Sequence, residues 1–297
     1  MMHFGRAEGR LGDVKFLSNG VPTVVLWLVR IAWLVVGLLA PWADVAESRS
    51  RAVSTVMNGW GWALWGAVLL ALLVPSTVSL TVVRAVTPLV LAAGFWSGRT
   101  AEVVASGVAL GALWTSDTAD ALVQGSAYGA ETRFCLRTPL VHAAAAVPVW
   151  AVYCATLLGG SLLVAAGNVT TGVGLLVTGL LLSRTVPRRL HRFSRRWLVL
   201  VPAGIVVHDH LVLAETVMVR RANVSGFDTT TAGGDAADLT GGTFGRRLRF
   251  ALLGDEKVIL TPIARRVLRT SEALHVQSFV VNPLRRQQAL GLLLQGK

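Results

Sequence analysis

The chain has 297 residues, 53% hydrophobic and only 15% charged, with a net charge of +12. Soluble domains carry about 25% charged residues, so an ordinary soluble domain, a disordered chain and a collagen-like repeat are excluded. Two cysteines exclude a disulfide scaffold, and basic residues set beside apolar runs rather than among aromatic readout motifs exclude a nucleic-acid partner.

Charge divides the chain. Residues 184–297 hold 18 of the 28 Lys and Arg and 8 of the 16 Asp and Glu, so they carry +10 of the +12. This predicts a transmembrane domain over 1–183, a basic amphipathic bridge over 184–197 and a cytoplasmic, strand-rich domain with a C-terminal helix over 198–297.

A bilayer core needs about 20 apolar helical residues per span. Val21 to Trp42 supplies the first run, broken only by Arg30. It is too long for the apolar region of a signal peptide, and Trp42-Ala43-Asp44 is not a cleavage site, so it is expected to remain as an anchor. Val53 to Pro75 is the second run, and Val78 to Trp96, broken by Arg84, is the third; Pro75-Ser76 leaves room only for a tight turn. Glu102 to Thr115 is a shorter fourth candidate. Pro139 to Leu182 contains no Asp, Glu, Lys or Arg and is long enough for two spans, with a turn at 167–171 or at Gly159-Gly160.

With about six spans and both termini inside, Arg6, Arg10, Lys15, Arg133, Arg137 and the cluster from Arg184 to Arg196 fall inside. Only Arg49, Arg51 and Arg99 fall outside, as the positive-inside rule requires. Gly107 with Gly111, and Gly172 with Gly174, mark close helix packing. Pro88 and Pro148 fall inside helices, and Cys135 and Cys154 read as plain thiols.

An arginine at the bilayer centre costs roughly 2.5–3.5 kcal/mol, so Arg30 and Arg84 must face protein, water or phosphate. One reading makes them an anion or lipid-headgroup site. The others are snorkelling, pairing with backbone carbonyls, or a span register one turn off. His142 reads as a hydrogen-bonded structural residue rather than a proton relay.

In the next loop, Asp117 and Asp120 share a helix face but lack further metal ligands nearby. The segment from Tyr128 to Phe134 alternates in polarity and is expected to touch the C-terminal domain. The bridge follows the last span. Pro187 suits a first helical turn. Leu190, Phe193 and Trp197 would face acyl chains while Arg188, Arg189, Arg192, Arg195 and Arg196 face anionic headgroups. The competing readings are a topology signal, or ion pairs with Asp209, Glu215 or Glu131.

Beyond it lie short runs rich in Val, Leu and Ile: 197–201, 204–207, 211–213, 216–220, 245–253, 257–261 and 275–281. Asn282-Pro283 then caps a last helix through Leu294. Residues 223–245, rich in Gly, Thr and Asp, are expected as a flexible loop. About six or seven strands and a closing helix outline a pleckstrin-homology-like (PH-like) barrel. His208-Asp209-His210 places two imidazoles where zinc would need a third ligand, and a tight turn gives the same sequence. The glycines at 241–245 lack the phosphate-loop spacing.

On the segment Tyr128-Gly129-Ala130-Glu131-Thr132-Arg133-Phe134 and the strand opening Arg196-Trp197-Leu198-Val199-Leu200-Val201-Pro202-Ala203-Gly204, the chain resembles uncharacterised multi-pass membrane proteins of actinobacteria with a cytoplasmic PH-like C-terminal domain. The likeness covers roughly residues 117–297 and implies architecture, not activity. The expectation is a non-enzymatic plasma-membrane scaffold or regulator without cofactor or metal, its partners anionic inner-leaflet lipids or another protein. The alternative is a transporter or lipid-handling permease that uses Arg30 and Arg84.

Overall fold

The computed structural model describes residues 23–231, 235–268 and 273–295. Arg6, Arg10 and Lys15, counted above on the inner side, lie outside the described residues.

The N-terminal region is helical: α1 (Thr23–Leu39), α2 (Pro41–Glu47), α3 (Arg51–Leu73), α4 (Thr77–Ser97), α5 (Thr100–Leu113) and α6 (Ser116–Gln124). Then come α7 (Leu140–Cys154), a π-helical segment (Ala155–Gly159), α8 (Gly160–Ala165), α9 (Val169–Leu182) and α10 (Val186–Ser194). Local chemistry sets the breaks. The Ser76 and Thr115 hydroxyls accept the backbone N–H of Ser79 and Thr118, capping α4 and α6, and Gly98 ends α4 in the left-handed region at φ 72°.

Among the described residues four helical stretches are long and apolar enough to cross a membrane: 24–47, α3, α4 and 140–165. The pair α9 and α10, bent by 45°, makes a fifth if it is one span. The expected count of about six is corrected at the fourth segment. At 14 residues, α5 rises only about 21 Å against a hydrocarbon core of about 30 Å. After the Thr115 cap the chain continues as the polar α6, whose end rests at the α3–α4 turn. A Cβ on Gly125 would lie 2.5 Å from the Pro75 side chain.

Small residues pack helices together, but not all those expected. Gly107 has only Leu91 within reach, at 4.0 Å, and Gly111 has nothing, so this pair mediates no close approach. Gly160 and Gly172 do. A Cβ on Gly172 would meet the Val164 nitrogen at 2.7 Å and the Gly160 oxygen at 2.8 Å. Gly172→Val must push α8 and α9 apart and is expected to cost about 1–3 kcal/mol. Thermal unfolding in detergent checks this: the Gly172 variant melts earlier, and Gly107→Val melts with the wild type.

The strands form two four-stranded sheets. The first contains β1 (Thr132–Cys135), β2 (Arg196–Val201), β3 (Gly204–Asp209) and β4 (Val217–Arg220) in that order, all antiparallel. In the second, β5 (Val224–Thr230), β6 (Ala237–Asp238), β7 (Arg247–Ile259) and β8 (Ala273–Val281) are ordered β5-β7-β8-β6. A short helix α11 (Pro262–Leu268) joins β7 to β8, and α12 (Arg286–Gln295) follows β8.

The expected contact of 128–134 is thus a strand pairing: Thr132–Cys135 lies along β2, with Phe134 opposite Leu198. A segment from between the apolar helices therefore forms an edge of the C-terminal sheet, so a boundary between 183 and 198 cuts one structural unit. Two further expectations are corrected. Residues 223–245 hold β5 and β6 rather than only loop, because Val224 and Gly226 to Thr230 pair along β7 as a largely polar edge, with a bulge at Ser225. The runs 245–253 and 257–261 are one irregular strand, β7, which shifts register between Ala251 and Glu256.

Side-chain alternation along β2 and β3 builds two cores. Leu198, Leu200, Ile205 and Val207 point between the sheets, with Phe250, Phe279 and Leu293 of α12. Trp197 and Val199 point the other way, into a cluster with Val83 of α4 and Leu122 of α6. The first sheet is covered on both faces, which explains why β2 reads as an unbroken apolar run. The strand-rich part sits directly on the helices.

Candidate functional site

The charged residues singled out in the sequence gather near the seam between helices and sheet. On α10, Arg188, Arg189 and Arg192 are exposed, while Leu190, Phe193 and, just past its end, Arg195 are half-buried. The helix leans on α4: the Thr81 hydroxyl bonds His191 Nδ1 at 2.9 Å and donates to Ser194 at 2.9 Å. Pro187 sits in its first turn.

The helix ends at Ser194, and two expectations change there. Trp197 does not face acyl chains. It lies in β2, stacked on His208 at 4.7 Å with Arg133 over its other surroundings at 5.4 Å. Arg196 does not face headgroups. Its side chain is 0% exposed, because two residues beyond the helix the strand register sets it opposite Asp209. Nε and Nη2 donate to the two carboxylate oxygens at 2.8 and 2.7 Å. Nη1 donates to the Arg137 carbonyl at 2.7 Å, just before α7, and Nη2 reaches the Thr240 carbonyl at 3.3 Å. Asp209 Oδ1 also accepts the Leu211 N–H at 3.0 Å. Arg196 thus ties β2, β3, the 240 loop and the approach to α7.

Arg30 and Arg84 have different partners. Arg30 donates to the Leu72 carbonyl at the end of α3, at 3.2 and 2.8 Å, with its guanidinium 4.8 Å from the Trp27 ring centroid. Of the readings above, pairing with a backbone carbonyl is the one realised. Arg84 lies within electrostatic reach of Asp120, Cys135 and Arg196. Neither arginine lines the cavity between the apolar helices, so the two do not share one anion pocket there.

Asp120 is the residue that sequence reasoning undervalued. It is 2% exposed. Oδ1 accepts the Cys135 backbone N–H at 2.7 Å and so holds β1 to α6, while Oδ2 is buried with no hydrogen-bond partner found among the described residues. Burial raises its pKa to about 6, against the pull of the Cys135 N–H and of Arg285. Gln124 grips the same strand at both ends of its amide, donating to the Glu131 carbonyl and accepting the Arg133 N–H at 2.8 and 2.9 Å. Asp117 pairs with Arg285 at 3.1 Å, fastening the segment before α12 to α6. The i, i+3 spacing of Asp117 and Asp120 was the available signal.

His208 and His210 meet edge-on, ring centroids 4.3 Å apart, and His208 Nδ1 bonds the Thr216 hydroxyl at 2.9 Å. Burial, with His210 and Arg195 nearby, lowers the His208 pKa to about 4, so it is neutral at physiological pH. Among the described residues no three His, Cys, Asp or Glu side chains cluster as metal ligands. Neither ring nitrogen of His142 has a partner among the described residues, so the expected hydrogen bond is not found there. Cys135 and Cys154 are free thiols, and burial pushes the Cys135 pKa well up. No family model, curated protein or solved structure matches the chain.

Proposed function

We propose that this is a non-enzymatic, multi-pass protein of the cell membrane. Both termini lie in the cytoplasm, with the short α5 and the polar α6 together bringing the chain back to the level of the α3–α4 turn, and its PH-like C-terminal part acts as a scaffold or regulator at the inner leaflet. The observation that carries the reading is the exposed face of α10. Arg188, Arg189 and Arg192 are exposed where the apolar helices give way to the strands. A cationic face at that level attracts anionic lipid, each arginine contributing about 1 kcal/mol. The PH-like reading rests on two sheets enclosing one core, with α12 packed against it through Ala289 and Leu293. The permease alternative needed Arg30 and Arg84 in one pocket, and their separate partners weigh against it.

The test uses the full chain in lipid nanodiscs, since β1 comes from outside residues 198–297. Changing Arg188, Arg189 and Arg192 to Gln is expected to weaken cross-linking of α10 to anionic lipid by about 3 kcal/mol at low salt, less at physiological salt, where the screening length is about 8 Å. No salt dependence and no difference from wild type would reduce these arginines to topology signals. For topology, a reporter after Lys297 should be active only in the cytoplasm and one beside Glu47 only outside.

A further inference from the structure

The apolar helices do not close completely. Between α3, α4, α7 and the π-helical segment lies a cavity of about 250 Å³, lined by Trp60, Val82, Ala85, Leu89, Trp150 and Leu157 among others. Its wall groups are already satisfied. Trp60 Nε1 donates to Ser161 Oγ and Trp150 Nε1 to the Ala85 carbonyl, both at 2.9 Å, and Thr81 is held by His191 and Ser194. A polar substrate would find no partner there, whereas hydrocarbon loses nothing by entering. The wall is widened where Ala155–Gly159 takes the π-helical form, a local change that often accompanies binding sites.

Pro187 and Leu190 of α10 complete the lining of this cavity. The two residues between them, Arg188 and Arg189, are exposed, and Arg192 follows less than a turn later. An apolar slot lined by α10, with exposed guanidinium groups on the same helix, has the two-part chemistry of a phospholipid with an anionic headgroup: chain in the slot, phosphate at the forked donors of arginine.

We infer that the cavity holds one acyl chain of an anionic phospholipid whose phosphate is bound by Arg188 and Arg189. This deepens the proposed function and rests on its membrane reading. It adds a stoichiometric site to what would otherwise be diffuse attraction. Charge complementarity along α10 selects lipid over a partner helix, which would bury these arginines against protein.

The experiment separates site from surface. Full-length protein is exchanged into detergent with phosphatidylglycerol or phosphatidylcholine, and retained lipid is counted by native mass spectrometry. Wild type is expected to keep one phosphatidylglycerol. Retention should fall at least about tenfold in Ala85→Phe, which fills the slot without touching charge, and in the Arg188→Gln/Arg189→Gln double variant. Ala85→Phe should keep the salt-dependent contact of α10 with anionic nanodiscs. Loss of that contact in the arginine variant alone, with Ala85→Phe still retaining lipid, overturns the cavity site and leaves the surface reading intact. Equal retention of phosphatidylcholine also overturns it. Should Ala85→Phe not fold, a photo-cross-linking residue at Leu89 decides. Capture of phosphatidylglycerol supports the site, and capture of a polypeptide or of nothing refutes it.

Discussion

Replacing Asp209 by alanine is expected to unfold the strand-rich part. The pair Arg196–Asp209 is 0% exposed on both sides. Removing one partner of such a pair leaves an uncompensated charge and costs about 3–5 kcal/mol, a large share of the roughly 5–15 kcal/mol that keeps a typical domain folded. The loss spreads, because Asp209 also accepts the N–H groups of Leu211 and Val212 and so holds the turn after β3. Asp209→Asn, which keeps an acceptor for the turn and loses the charge, should fall between. An apolar pair, Arg196→Met with Asp209→Leu, should recover much of the stability, since desolvating two charges offsets most of what their attraction returns. Circular dichroism melts in detergent and the rate of tryptic cleavage at Arg137 and Arg196 report the outcome. An Asp209→Ala protein that melts with the wild type would remove Arg196 from its central position.

That same pair shows where sequence reasoning stops. Arg195 and Arg196 are neighbours of one residue type in a basic run, and helical periodicity treats them alike. They part because α10 ends at Ser194 and the strand register pairs Arg196 with a residue 13 positions on. Register is a long-range property, invisible to a local pattern. The apolar runs of β2, β3, β4 and β8 were legible because burial on one or both faces leaves a compositional mark. Ser225 to Thr230 was not, since an edge strand half open to water carries polar residues and resembles a loop.

The helices were legible by length and hydropathy, down to the turn at Pro75-Ser76. The fourth segment misled because its apolar residues run out at Leu113 while the chain continues downward as polar α6. Treated as loop residues, Asp117 and Asp120 were never matched with Arg285 or Cys135. The candidate site was therefore half visible. The exposed arginines of α10 and Asp209 as an ion-pair partner of the basic cluster could be named in advance, whereas the fastening of β1 to α6 through the buried Asp120 could not.

Asp120 should make the protein more stable in mild acid than at neutral pH. Its carboxyl titrates near 3.8 in an unfolded chain and, because it is buried, at about 6 in the folded one. The folded state therefore binds the proton more tightly. The favourable contribution is complete below pH 3.8 and is lost as pH rises through 6. The shift corresponds to about 3 kcal/mol across that window. Other carboxylates, Asp209 among them, titrate over overlapping ranges, so the comparison must be with Asp120→Asn. The amide oxygen still accepts the Cys135 N–H, and no charge appears at any pH. Wild type should lose stability relative to Asp120→Asn between pH 4 and 6, and the variant should be the more stable at pH 7. Denaturant melts at half-unit pH steps measure the difference directly. Parallel curves for the two proteins would mean that the buried Oδ2 is solvated or paired in the membrane, and that Asp120 is an ordinary carboxylate holding β1 in place.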